Sequence, residues 1–190
     1  MIDVYFENIH EQIRSHLKQA SRDIKLCVAW FTDSDLYDVI LEAKRNGVTV
    51  SVIIANHEIN HNNGVDFKEL LSLNGTVRYI GENSSDISTK LMHHKFCIID
   101  GEVLITGSYN WTYKARKNDE NILIIKNEPH ILSQFEKKFD EIMPTHLFAI
   151  KNDQVLLFPI QSIVEKWEMS PISSPKNKST LNIGNIANKF

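Results

Sequence analysis

His93 and Lys95 stand two residues apart in the stretch Met92-His-His-Lys-Phe-Cys-Ile-Ile-Asp100. Alternate residues of a strand share a face, so this imidazole and this ammonium project together, away from Phe96 and Ile98. A titratable ring beside a fixed cation suits a phosphate. The lysine supplies a point charge for a non-bridging oxygen, and the ring can attack phosphorus or donate a proton near neutral pH. Gly107-Ser-Tyr-Asn110 follows, with Ser108 and Asn110 also two apart, at the expected start of a short helix over 110–117. Their donors and the free amides of that helix would hold an oxyanion. His94 faces the other way and reads as structural or surface.

Holding these groups in place takes strands and helices, and the pattern supplies both. Ile9, Ile13, Leu17 and Ala20 recur at helical spacing. Residues 24–31 form an apolar run of strand length, suited to a strand covered on both faces. Thr32-Asp-Ser34 offers cap chemistry for a helix from Leu36, which Asn46-Gly47 would end. Strands are expected over 48–55 and 77–80, with a helix over 65–73 between them. The first eighty residues thus alternate β-α-β-α-β-α-β, which predicts an α/β layered domain with a mixed, largely parallel sheet flanked by helices. Residues 81–89 read as a polar loop. Asp100-Gly101 joins strands over 94–99 and 102–106 as a hairpin. A strand over 120–125 and a helix over 129–142 follow. The sequence suggests a catalytic domain over 1–143, an extension packing on it over 144–169, including apolar stretches at 155–160 and 163–167, and a mobile tail over 170–190 rich in Ser, Asn, Lys and Pro. No internal repeat is visible, so each chain carries one copy of the site.

The spacing H-x-K-x4-D-x6-G-S-x-N resembles the signature of the phospholipase D superfamily, with every fixed position filled. Ala29-Trp-Phe-Thr32, the helix–Gly-Val-x-Val stretch at 46–50 and Asn110-Trp-Thr112 look like the single-motif, nuclease-type branch, over about residues 1–142. The resemblance implies phosphodiester hydrolysis in two steps with no metal or other cofactor. One histidine forms a phosphohistidine, a second protonates the leaving oxygen, and water resolves the intermediate. A chain with one motif then implies a homodimer with its site astride a two-fold axis. Carried over, His93 is nucleophile or acid, and Lys95, Ser108 and Asn110 hold phosphate oxygens. Glu120 stands where relatives place a carboxylate that orients the imidazole. Asp100 belongs to the motif but reads as structural, fixing the hairpin.

His57-Glu-Ile-Asn-His61 spells H-E-x-x-H, a zinc-peptidase motif when it lies within a helix. Here it follows a strand directly and runs into Asn62-Asn-Gly64 with no third ligand evident, so a polar loop lining the substrate groove is expected instead. Cys27 and Cys97 sit in apolar runs and read as buried thiols. The sequence shows no signal peptide and no apolar span of membrane length, so a cytosolic location is expected.

With 21 basic and 24 acidic residues the net charge is −3, which argues against a nucleic-acid coat protein. Between residues 87 and 118, however, Lys90, Lys95, Lys114, Arg116 and Lys117 face only Asp100 and Glu102, a local +3. A positive site on an acidic body suits a polyanion, and Tyr109, Trp111 and Tyr113 interleave that stretch as candidate stacking groups or core. No anchor or basic amphipathic helix marks a membrane approach. DNA or RNA is therefore the expected substrate, with a lipid phosphodiester or a non-catalytic nucleic-acid-binding role as alternatives. The tail is a candidate docking segment for an effector nuclease in a larger complex.

Overall fold

The computed structural model describes residues 1–82, 90–151 and 154–160. Most of the loop expected over 81–89, the apolar stretch 163–167 and the tail over 170–190 lie outside the described residues. The strands are β1 (Ile2–Tyr5), β2 (Asp23–Val28), β3 (Thr49–Ala55), β4 (Thr76–Ile80), β5 (Lys95–Ile99), β6 (Val103–Gly107), β7 (Ile122–Lys126), β8 (His146–Lys151) and β9 (Gln154–Pro159). The helices are α1 (Ile9–Leu17), α2 (Ser34–Arg45), α3 (Glu58–Asn63), α4 (Lys68–Ser72) and α5 (Pro129–Glu141).

All the strands join one sheet in the order β1-β7-β6-β5-β2-β3-β4-β8-β9. The sheet is mixed, as the sequence predicts, but its parallel share is smaller than expected. Only β2–β3 and β3–β4 pair in parallel; every other pairing is antiparallel. The physical reason begins at the β5–β6 link, residues 100–102, which is too short for a crossover, so these two strands must run antiparallel; β7 then turns back on β6 after a longer connection over 108–121 whose helical content is a single 3-10 turn. The first strand, in turn, pairs with β7 at the sheet edge instead of with its sequence neighbour.

Strand β2 lies between β5 and β3 with both faces covered. Ile24, Leu26 and Val28 face α1, α2 and α4, whereas Cys27 faces the layer formed by Leu132, Phe139 and Ile142 at α5. The local signals hold. Ile9, Ile13 and Leu17 are the buried stripe of α1. Asp33 caps α2 by accepting from the Asp35 and Leu36 amides at 3.1 and 3.2 Å. Asp100 and Gly101 both take positive φ, 56° and 64°, at the head of the three-residue connection 100–102, where the Glu102 amide donates back to the Ile99 carbonyl at 3.0 Å.

Candidate active site

One end of the sheet gathers the chemistry. Parallel strands β2 and β3 finish there, β5 and β7 begin there, and β6 ends there, so Trp30, His57, His93, Ser108 and Glu120 all follow or precede strands at that end. Ligands of α/β sheets collect outside the carboxyl ends of parallel strands, where backbone ends are free and loops diverge.

His93 lies two residues before β5, just outside the strand, and is exposed. It is fixed through its neighbours. The His94 carbonyl accepts from the Ala29 amide at 2.9 Å, and Met92 is buried with its sulfur 3.7 Å from the Cys27 sulfur. Imidazole and ammonium meet as expected: Lys95 Nζ lies 3.1 Å from His93 Nδ1 and 2.8 Å from the His93 carbonyl. Partial burial, then the Lys95 charge, holds the His93 pKa below the ordinary histidine value, so the neutral ring is favoured. Burial likewise lowers the Lys95 pKa, and the Glu120 carboxylate opposes that by favouring the ammonium. His94 points to the other side, its ring 5.9 Å from that of Phe96.

Ser108 and Glu120 meet across the β6–β7 connection, where the serine hydroxyl donates to Glu120 Oε2. Asn118 Nδ2 donates to the other carboxylate oxygen at 3.3 Å. Ser108 Oγ also accepts from the Asn121 amide at 3.1 Å. Gly107 makes this approach feasible, since a Cβ there would sit 2.1 Å from the Asn121 carbonyl oxygen. Among the described residues the Glu120 carboxylate accepts from Ser108 and Asn118, with no hydrogen bond to His93, and its charge acts on Lys95.

The helix expected over 110–117 does not form. Trp111 bridges in parallel to Phe31, which keeps the chain extended, and only a single 3-10 turn, Ala115–Lys117, follows. The amides meant for an oxyanion are occupied: Trp111 N–H donates to the Trp30 carbonyl at 3.1 Å and Thr112 N–H to the Asn110 carbonyl at 2.9 Å. Asn110 itself is half-buried with its side-chain oxygen covered and unpaired among the described residues. Asp100 has the structural role expected of it. It accepts from the Ser21, Arg22 and Asp23 amides and the Ser21 hydroxyl, tying the hairpin to the start of β2. Burial would raise its pKa, but these donors outweigh that and hold it below the usual carboxylate value.

The H-E-x-x-H segment is a short helix, not a loop. His57 caps α3, its Nδ1 accepting from the Ile59 amide at 3.2 Å, while His61 Nε2 is 2.6 Å from Asn56 Oδ1 and its ring stacks on Tyr79. The rings serve separate tasks. Between them Asn60 is buried and fully used: Nδ2 donates to the Ala29 and Ala55 carbonyls, both at 2.7 Å, and Oδ1 accepts from the Phe31 amide at 2.9 Å. Among the described residues, one other group has the donor set for a cation, His10, Asp33 and Asp35, and both carboxylates are already held by Arg116. That pairing also removes Arg116 from the basic patch. Tyr109 and Trp111 belong to the core, and Tyr113 is exposed with Arg116 over its ring.

Trp30, part of the Ala29-Trp-Phe-Thr32 stretch but given no site role by the sequence, has its ring 5.4 Å from that of His93 and 5.7 Å from that of His57. The available signal was its place, a large polar-tipped aromatic just beyond the carboxyl end of a buried strand.

Motif, fold and site define a domain of the phospholipase D-like class. Residues 13–143 match the family described as "Cardiolipin synthase, PLD-like domain", and the chain belongs to it. A mitochondrial cardiolipin hydrolase of Chlamydomonas reinhardtii is 35% identical over 128 residues, 67% of this chain and 54% of that protein. The human mitochondrial cardiolipin hydrolase is 32% identical over 133 residues, 68% of this chain and 50% of its own. The chain thus spans about half the length of the curated relatives it matches. Among solved structures, Nuc of Salmonella typhimurium, a phospholipase D family member, aligns with a TM-score of 0.65 at 23% identity, covering 75% of this chain and 93% of that one, a likeness of fold. The cytosolic expectation is corrected by the relatives, which are named as mitochondrial proteins. Among the described residues, no helix is long and apolar enough to cross a membrane.

Proposed function

We propose that the chain is a phosphodiester hydrolase acting on nucleic acid, with His93 forming a phosphohistidine and a second copy of the chain completing the site. The observation that carries this reading is the Lys95–His93 pair, 3.1 Å apart, at the same sheet end as the Ser108–Glu120 pair. Nδ1 faces Lys95, which leaves Nε2 for phosphorus. When Lys95 turns from the ring to a phosphate oxygen, Nδ1 can carry the ring proton and Nε2 presents its lone pair. The nitrogen–phosphorus bond forms, the bond to the leaving oxygen breaks, and a second imidazole gives that oxygen a proton. The same imidazole then deprotonates water, which attacks phosphorus and releases His93. The motif offers one such ring per chain, so a two-fold-related His93 supplies the other. Lys95, Ser108 and Asn110 hold the phosphate oxygens. Glu120 keeps the Ser108 hydroxyl oriented and Lys95 charged.

Nucleic acid is favoured by the stretch around the site, which keeps Lys90, Lys95, Lys114 and Lys117 against Asp100 and Glu102 once Arg116 is paired, on an otherwise acidic chain. A lipid phosphodiester is the second reading, favoured by the cardiolipin hydrolases among the relatives. Parallel incubations with single-stranded DNA, duplex DNA, RNA and cardiolipin vesicles decide between them. Cleavage of a nucleic acid by the wild type in excess EDTA, absent from His93→Ala, is expected. Cleavage of cardiolipin alone would overturn the nucleic-acid reading, and loss of all cleavage on chelation would overturn the metal-independent step.

A further inference from the structure

Trp30 stands where β2 has left the sheet, and its surroundings are fixed on every side. Asn60 pins both flanking residues, accepting from the Phe31 amide and donating to the Ala29 carbonyl. The Trp30 carbonyl accepts from the Trp111 amide at 3.1 Å. The indole nevertheless belongs to neither core cluster and is part-exposed, with its Nε1 covered and unpaired among the described residues. His57 is part-exposed as well, its ring held by the cap bond to Ile59. Sheet order makes these rings a row. His93 precedes β5, Trp30 follows β2 and His57 follows β3, three adjacent strands. The centroid steps of 5.4 and 5.7 Å follow the strand spacing of about 4.8 Å, while the ring planes turn by 75° between His93 and Trp30 and by 52° between Trp30 and His57, so each ring offers its own face and not one shared plane.

We propose that Trp30 and His57 form an aromatic subsite that takes the nucleobase flanking the scissile phosphate; this rests on the nucleic-acid reading above. Every base has a π-face, so a stacking ledge binds nucleotides with little sequence preference. Because the backbone around both rings is already fixed, ordering them on binding costs little. The glycerol beside a lipid phosphate has no ring to stack, so the ledge has no use in cardiolipin cleavage.

The test uses short single-stranded DNA with one cleavable linkage, all others being methylphosphonates. The residues flanking that linkage carry either bases or tetrahydrofuran abasic sugars. Wild type should favour the base-bearing strand in kcat/KM by about 5- to 150-fold. Trp30→Leu should bring that ratio towards one, and Trp30→Phe should keep most of it. A wild-type ratio near one overturns the subsite, as does a Trp30→Leu variant that slows both strands equally, the mark of a merely structural role. If wild type cleaves neither strand but cleaves cardiolipin vesicles, the nucleic-acid reading itself falls, so the two failures are told apart.

Discussion

In the proposed attack His93 needs its proton on one nitrogen and its lone pair on the other, and in the free chain Lys95 sits at Nδ1, where the proton has to go. The ammonium can only donate, so it favours the tautomer with hydrogen on Nε2, the wrong one for attack. Nitrogen-15 spectra of the free protein should therefore show the Nε2–H form of His93, moving to Nδ1–H when inorganic phosphate draws Lys95 away. In Lys95→Met the His93 pKa should rise towards the ordinary value, because the like charge that helps depress it is gone. A proton titration followed by NMR would read this directly: the wild-type ring stays neutral to lower pH than the variant's. In catalysis, Lys95→Met should cost about 3 kcal/mol of transition-state stabilisation, roughly a hundredfold or more in kcat. His93→Ala should abolish turnover with the thermal melt unchanged.

At the scale of elements, the site depends on two close approaches. Gly107 lets β6 meet β7, so Gly107→Ala must separate those strands, which should lower stability by about 1–3 kcal/mol and uncouple Ser108 from Glu120. Asp100 ties the β5–β6 hairpin to the start of β2 through several donors, and Asp100→Asn should lose about 2 kcal/mol at neutral pH by chemical denaturation. Its folded pKa is depressed, so its contribution is present above the ordinary carboxylate value and fades as pH falls through the folded one. The gap between Asp100→Asn and wild type should close in acid. Features encoded over a few residues were legible in the sequence: the α1 stripe, the Asp33 cap, the Asp100-Gly101 turn and the His93–Lys95 pairing. Those set by distant partners were not. Trp111 docking on Phe31 replaced an α-helix with an extended segment, Asn60 gave the H-E-x-x-H letters an architectural use, and neither bond joins sequence neighbours.

On the scale of the whole molecule, the proposed mechanism draws one imidazole from each chain and so makes a second copy part of the chemistry. Mixing wild type with excess His93→Ala under exchange conditions should depress activity further than dilution does. At equal amounts about a quarter of randomly assorted pairs keep both rings. Activity falling only to half would mean that each chain works alone.

The edge strand β1 has a different consequence. Ile2 pairs with Ile125 and Tyr5 with Ile122, so β1 has no sheet partner until the ribosome has released β7. Contacts of such long sequence separation form slowly, and an unmatched strand with exposed Ile2, Val4 and Phe6 invites self-association meanwhile. Nascent chains stalled before residue 122 should thus depend on chaperones.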